Sequence, residues 1–73
     1  MALIDLRGLT CPEPLLKLIE QIKEIEVGKE VEVLTTDPGT IVDIPLWAEK
    51  EGIEVIDCCR EGNQIRFVLK KVK

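Results

Sequence analysis

The sequence predicts a two-layer α/β sandwich in the order β-α-β-α-β-β, a four-stranded mixed sheet with two helices on one face. Three observations predict it. Apolar residues recur at three- and four-residue spacing from Leu15 to Ile25, between two short stretches that alternate with period two. A second helical stretch follows a Pro-Gly turn, and the chain closes with two strand-like runs joined by Glu61-Gly62-Asn63. Two successive strand–helix–strand crossovers of the usual right hand put both helices on the same side of the sheet.

Ala2–Leu6 alternates and reads as the first strand, followed by the turn Arg7-Gly8-Leu9-Thr10 and the helix-start signal Cys11-Pro12. Leu15, Leu18, Ile19, Ile22 and Ile25 form one helical face, with Lys17, Glu20, Gln21, Lys23 and Glu24 toward water. Proline suits the first helical position, where its missing N–H has no partner to lose, and Gly28 is the expected stop. Val31 and Val33 alternate with Glu30 and Glu32 through a half-buried strand over Lys29–Thr36, which Asp37-Pro38-Gly39-Thr40 ends. The second helix is expected over residues 43–51, with Asp43 as its cap, Pro45 in its first turn and Gly52 at its end. Ile44, Trp47 and Ala48 should face the core. Two strands, about residues 53–59 and 64–72, complete the sheet, and the Gly-Asn pair between them suits a hairpin. The sheet's other face is open, with Leu34 and Val68 as apolar residues on it.

Seventy-three residues and 8.2 kDa allow one core, so residues 1–73 are expected to form a single domain. Ten Lys and Arg against fourteen Asp and Glu leave a net charge of −4, which repels phosphate backbones and argues against direct nucleic-acid binding. The charge is uneven. Arg66, Lys70, Lys71 and Lys73 fall in an acid-free terminal run, which reads as a lysine-rich strand kept soluble at a sheet edge or as a docking strip for an acidic partner. Neither a membrane span nor a signal peptide is recognisable, so a cytoplasmic location without membrane contact is the expectation.

Three cysteines in a reducing compartment argue against a disulfide framework, and the absence of histidine removes Cys-His dyads and Ser-His-Asp triads together. Any chemistry must come from a thiol, a carboxylate or the backbone. Cys11 precedes a proline-led helix, where the positive end of the helix dipole favours an anionic sulfur. The position three residues on, where a redox pair would have its second cysteine, holds Pro14. Pro12 and Pro14 remove two first-turn donors and Glu13 adds a carboxylate, so Cys11 should be less acidified than a C-x-x-C thiol. A nucleophilic sulfur with no resolving partner and no base suits carrying a group, above all a second sulfur as an anionic persulfide, more than stand-alone turnover. A small, inert helix cap accounts for the same spacing.

The run Asp5-Leu6-Arg7-Gly8-Leu9-Thr10-Cys11-Pro12-Glu13-Pro14 resembles the D-x-x-G-x-x-C-P-x-P signature of the TusA family of small sulfur-carrier proteins. Asp37-Pro38-Gly39-Thr40 through Asp43-Ile44-Pro45 resembles that family's D-P-x-[TS]-x-x-D-I-P run. The resemblance implies a fold similar to the C-terminal domain of a bacterial translation initiation factor, with Cys11 as the persulfide carrier. It also implies a sulfur donor of the cysteine desulfurase or rhodanese type and an acceptor sulfurtransferase, in tRNA thiolation, cofactor synthesis or other sulfur traffic. No cofactor or metal is implied.

The remaining candidates carry bland readings beside the functional ones. Asp5, Gly8, Pro12, Glu13 and Pro14 are supporting motif positions. Arg7, Asp37, Pro38 and Asp43 are candidates for partner docking; Arg7 is also the cation nearest Cys11 in sequence, and the two aspartates are expected caps. Cys58 and Cys59 should point to opposite faces, one buried and one exposed, and a zinc site would lack a fourth ligand. Trp47 and Phe67 are simplest as core residues. The alternative to a carrier is a non-catalytic interaction or regulatory module with Cys11 as a cap only.

Overall fold

The computed structural model describes residues 2–10 and 12–73. Its elements run β1 (Ala2–Leu6), α1 (Glu13–Ile22), β2 (Glu30–Thr35), α2 (Thr40–Glu51), β3 (Ile53–Glu61) and β4 (Gln64–Lys71). The sheet has the order β1-β2-β4-β3: β1 lies parallel to β2, and β4 is antiparallel to both β2 and β3. Both crossovers therefore join parallel strands, adjacent for β1-α1-β2 and one strand apart for β2-α2-β3. This is the predicted α/β sandwich of a mixed sheet with two helices.

Alternation decides which side chains face the helices. Ile4 pairs with Val33 and Val33 with Phe67, while Leu6 pairs with Thr35 and Thr35 with Ile65. These residues are all buried, and they meet Leu18 and Ile22 from α1 and Ile44 and Ala48 from α2. Phe67 and Ile44 are fully buried and Trp47 packs against the cluster, as the spacing predicted.

The helix boundaries differ from expectation. Pro12 is the N-cap of α1 rather than its first residue, and Pro14 is buried in the first turn. The helix stops at Ile22, well before Gly28. The Lys71 ammonium reaches across from β4 and donates to the carbonyls of Ile22 (3.2 Å) and Ile25 (2.9 Å), satisfying groups that a longer helix would have bonded itself. Ile25 still packs on the core, from the segment beyond the helix.

The second helix begins three residues before Asp43, at Thr40. Asp37 supplies the start signal: its carboxylate accepts the Gly39 N–H (3.0 Å), and its carbonyl accepts the Thr40 hydroxyl (2.6 Å) and N–H (3.1 Å). Asp43 is thus a first-turn acid at the positive helix end and not the cap. Pro45 consequently lies in the second turn, where its missing N–H leaves out the bond to the Ile41 carbonyl. Gly52 ends the helix as expected, and Gly62 (φ 61°) occupies the first central position of the two-residue turn closed by the Glu61–Gln64 pair.

The basic last strand is an inner strand, not a sheet edge. Lys70 is flanked in register by Glu30 and Glu54, and Arg66 pairs with Glu32 (3.1 Å) and Asp57 (3.8 Å). Arg66 and Lys70 are matched by acids of the two neighbouring strands and Lys71 is used by the end of α1, which is how a lysine-rich strand occupies the sheet interior. On the face away from the helices, Leu34 and Val68 are nearly buried, at 8% and 7% exposure, instead of offering a contact surface.

Candidate functional site

Parallel pairing sets the carboxyl ends of β1 and β2 side by side, so the loops leaving them run next to each other, each into the start of a helix. The Gly8 N–H donates to the Thr36 hydroxyl at 2.9 Å and ties the two loops together. Gly8 holds φ 84°, a left-handed conformation in which a side chain would be strained, which accounts for glycine at this motif position. Leu9 packs on the core and its N–H donates to the Leu6 carbonyl (3.4 Å), and the Glu13 N–H donates to the Thr10 carbonyl (2.9 Å). The segment approaching α1 is thus held by backbone bonds, a cross-loop tether and a buried leucine. Cys11 itself lies outside the described residues. Pro12 and Pro14 bring no N–H to the helix start, and Glu13, exposed, puts a carboxylate in the first turn.

The second loop is braced from below. Thr35 and Thr40 are buried at 0% and 2% exposure, and their hydroxyls bond each other at 2.8 Å, linking the end of β2 to the start of α2. Pro38 is exposed at the tip of this loop, and Asp37 and Asp43 flank it. The structure therefore brings Gly8, Asp37 and Pro38 to one end of the sheet, beside the entry to α1. Thr40 is the [TS] position of the second motif run, whereas Thr35 and Thr36 are not singled out by the sequence; their signal is that they form a Thr-Thr pair closing a strand just before the Asp-Pro-Gly-Thr turn.

Arg7 belongs to a different arrangement. Its guanidinium forks onto Asp5 at 2.9 and 2.8 Å, its N–H donates to the same carboxylate at 3.1 Å, and Nη1 reaches Gln64 Oε1 at 3.3 Å. The pair holds the Asp5 carboxyl down at about 2, chiefly through the side-chain hydrogen bonds from Arg7, and raises the Arg7 pKa in return. A cation so engaged contributes little net field to a neighbouring anion.

Both Cys58 and Cys59 are exposed, where one was expected buried. Their side chains do alternate, Cys58 opposite Phe67 and Cys59 opposite Arg66. Yet burial falls away along β3 after Val55, because this is an edge strand whose far half carries no packed layer. Partial burial raises the Cys58 pKa, and Asp57 and Cys59 add to the rise, so this sulfur is held as the less nucleophilic thiol. Cys59 donates weakly to Glu61 Oε1 at 4.0 Å. Its row across the open face runs Cys59, Arg66, Leu34, Asp5, which is three strand spacings or roughly 14 Å. Among the described residues, no group of Cys, Asp and Glu has the arrangement to hold a metal ion, and no helix is long and apolar enough to cross a membrane.

Comparison with known proteins adds sequence-level findings. The family model described as "Sulfurtransferase TusA" matches residues 2–71. A protein of Archaeoglobus fulgidus named "Putative sulfur carrier protein" is 42% identical over 73 residues, covering both chains completely. The "Sulfur carrier protein TusA" of Allochromatium vinosum is 32% identical over 68 residues, 93% of this chain and 90% of that one. A longer relative from Bacillus subtilis, "Putative sulfur carrier protein YrkF", is 34% identical over 68 residues that make up 37% of its own length.

Proposed function

The chain belongs to the TusA sulfurtransferase family, and on that premise we propose that it carries sulfane sulfur as a persulfide on Cys11. The observation that carries this reading is the meeting of the Asp5-to-Pro14 motif with the 36–40 loop through the Gly8–Thr36 bond. That bond fixes the backbone leading to a thiol which has no histidine to activate it and no second cysteine three residues away. Names of relatives as sulfur carriers support the same chemistry.

The transfer is balanced without any external oxidant. The Cys11 thiolate attacks the outer sulfur of a donor persulfide, the donor's S–S bond breaks, and the donor leaves as its thiol. Cys11 is then a persulfide, more acidic than a thiol and anionic near neutral pH, as suits a helix entry. An acceptor thiolate attacks the outer sulfur in turn and releases the Cys11 thiolate. A cysteine desulfurase or a rhodanese-type protein would serve as donor and a second sulfurtransferase as acceptor, within tRNA thiolation, cofactor synthesis or another route. With no general base in the motif, turnover resides in those partners, and the supporting residues Asp5, Gly8, Pro12, Glu13 and Pro14 shape the loop that presents the sulfur.

Intact-mass measurement tests this directly. Incubation with a cysteine desulfurase and cysteine should add about 32 Da, one sulfur atom on a nucleophilic thiol, to the wild type and nothing to Cys11→Ser. Equal loading of Cys11→Ser would reject Cys11 as the carrier and turn attention to Cys59.

A further inference from the structure

The chain has three arginines, and two of them are committed: Arg7 forks onto Asp5, and Arg66 bonds Glu32 and approaches Asp57. The Arg60 backbone pairs with Ile65 in the sheet, but its side chain makes no hydrogen bond or ion pair with the described residues. It lines a cavity of about 150 Å³ together with Thr36, Pro38, Asn63 and Ile65. The side chains of these residues include a guanidinium, an amide and a hydroxyl, and none of the five carries a carboxylate. Thr36 accepts the Gly8 N–H with its oxygen, which leaves its own hydrogen to donate. Three donor-bearing side chains around one small cavity match a compact oxyanion better than a cation or an apolar group, although the molecule as a whole is acidic.

Position gives the cavity its meaning. Because β2 and β3 run parallel, the 61–64 hairpin turn lies at the same end of the sheet as the carboxyl ends of β1 and β2. Thr36 is at once a wall of the cavity and the anchor of the loop that leads toward Cys11, and Pro38 belongs to the loop that opens α2.

We infer that the Arg60–Asn63–Thr36 cavity is a subsite for a compact oxyanion group, a carboxylate or a sulfur oxyanion, of a small molecule that exchanges sulfur at Cys11. Thiosulfate would yield its outer sulfur to the Cys11 thiolate and leave as sulfite, and a carboxylate-bearing thiolate would take the outer sulfur of the Cys11 persulfide and leave as its own persulfide. The binding rests on the cavity's own geometry; its role in exchange rests on the carrier reading above.

Amide NMR titration of the intact chain at constant ionic strength tests it, with sodium thiosulfate and reduced glutathione as probes and sodium chloride as control. Saturable shifts centred on Thr36, Asn63 and Gly8 are expected with at least one of the two probes, and the probe that saturates identifies the source as inorganic oxyanion or carboxylate. Arg60→Gln should weaken that binding about tenfold, the loss of one charge-assisted contact, and Arg60→Lys should restore part of it. An unchanged thermal midpoint in both variants shows that the fold is intact. Shifts that are linear in both probes, equal in chloride, or indifferent to Arg60→Gln would overturn the assignment. Cys11→Ser separates the two readings: it should bind the anion as the wild type does while failing to load sulfur. Unaltered anion binding alongside a failure of wild-type loading would remove the carrier role and leave the subsite.

Discussion

Asp5 shows what a single motif residue does in this fold. Its carboxylate accepts three hydrogen bonds from Arg7, two from the guanidinium and one from the backbone, so its charged form is favoured and its pKa falls from the ordinary 3.8 to about 2. The sign follows from which state binds the proton more tightly. The unfolded chain protonates first as pH falls, so the pair's stabilisation is present above 3.8 and is lost on acidification toward 2. Asp5→Asn should therefore lower the neutral plateau of a stability-versus-pH curve and flatten its acid limb, so that the two curves converge as pH falls toward 2. Identical acid limbs in the two proteins would show that the pair is only a surface contact. The pattern D-x-x-G is visible in the sequence, but the partner of its aspartate is not: Arg7 reads there as a docking candidate and as the cation nearest Cys11, whereas a fork onto a side chain two residues away is a matter of rotamer and distance that spacing alone does not reveal.

At the scale of elements, the α2 entrance carries the most information. Thr35 and Thr40 are both buried, and each satisfies the other's hydroxyl. Thr40→Val keeps the shape but strands the Thr35 hydroxyl and removes the bond to the Asp37 carbonyl. A loss of about 1–3 kcal/mol is expected, the cost of an unsatisfied buried polar group, read as a lower urea midpoint, and the Gly8 amide should lose hydrogen-exchange protection because the loop it bonds is no longer braced. A midpoint within experimental error of the wild type would mean that the brace is not structural. Asp43 and Pro45 make a plausible helix start by themselves, three residues after the true one at Thr40. The true start is set by Asp37 bonding forward to Gly39 and Thr40, a competing turn chemistry in the same nine residues. The first helix is shorter than its pattern for a different reason: its apolar period continues to Ile25, but a lysine from the far end of the chain caps the carbonyls at Ile22 and Ile25. No local pattern records that contact.

For the whole molecule, periodicity was enough to assign the element order and the buried faces, because alternation along each strand and the three-to-four spacing along each helix converge on one side of the sheet. Strand order was harder. A last strand rich in lysine looks like an edge, and only the register shows Lys70 between Glu30 and Glu54 and only the side-chain contacts show Arg66 reaching Glu32 and Asp57. Phe67 lies at the centre of this inner strand and is fully buried against β2 and β3 partners. Phe67→Ala should cost about 3–5 kcal/mol, a large part of the stability open to so small a core, and leave the chain largely unfolded by far-UV circular dichroism at ambient temperature. A stable, cooperatively melting variant would place the core elsewhere.

One detail of β3 bears on how copies of this chain behave together. The ladder slips between Val55 and Asp57, and the Asp57 carboxylate takes the Cys58 N–H at 2.9 Å. The longer free margin of the sheet is therefore bent, negatively charged at the bend, and has one of its amides already occupied. An extended segment from a neighbour finds no continuous template along that margin.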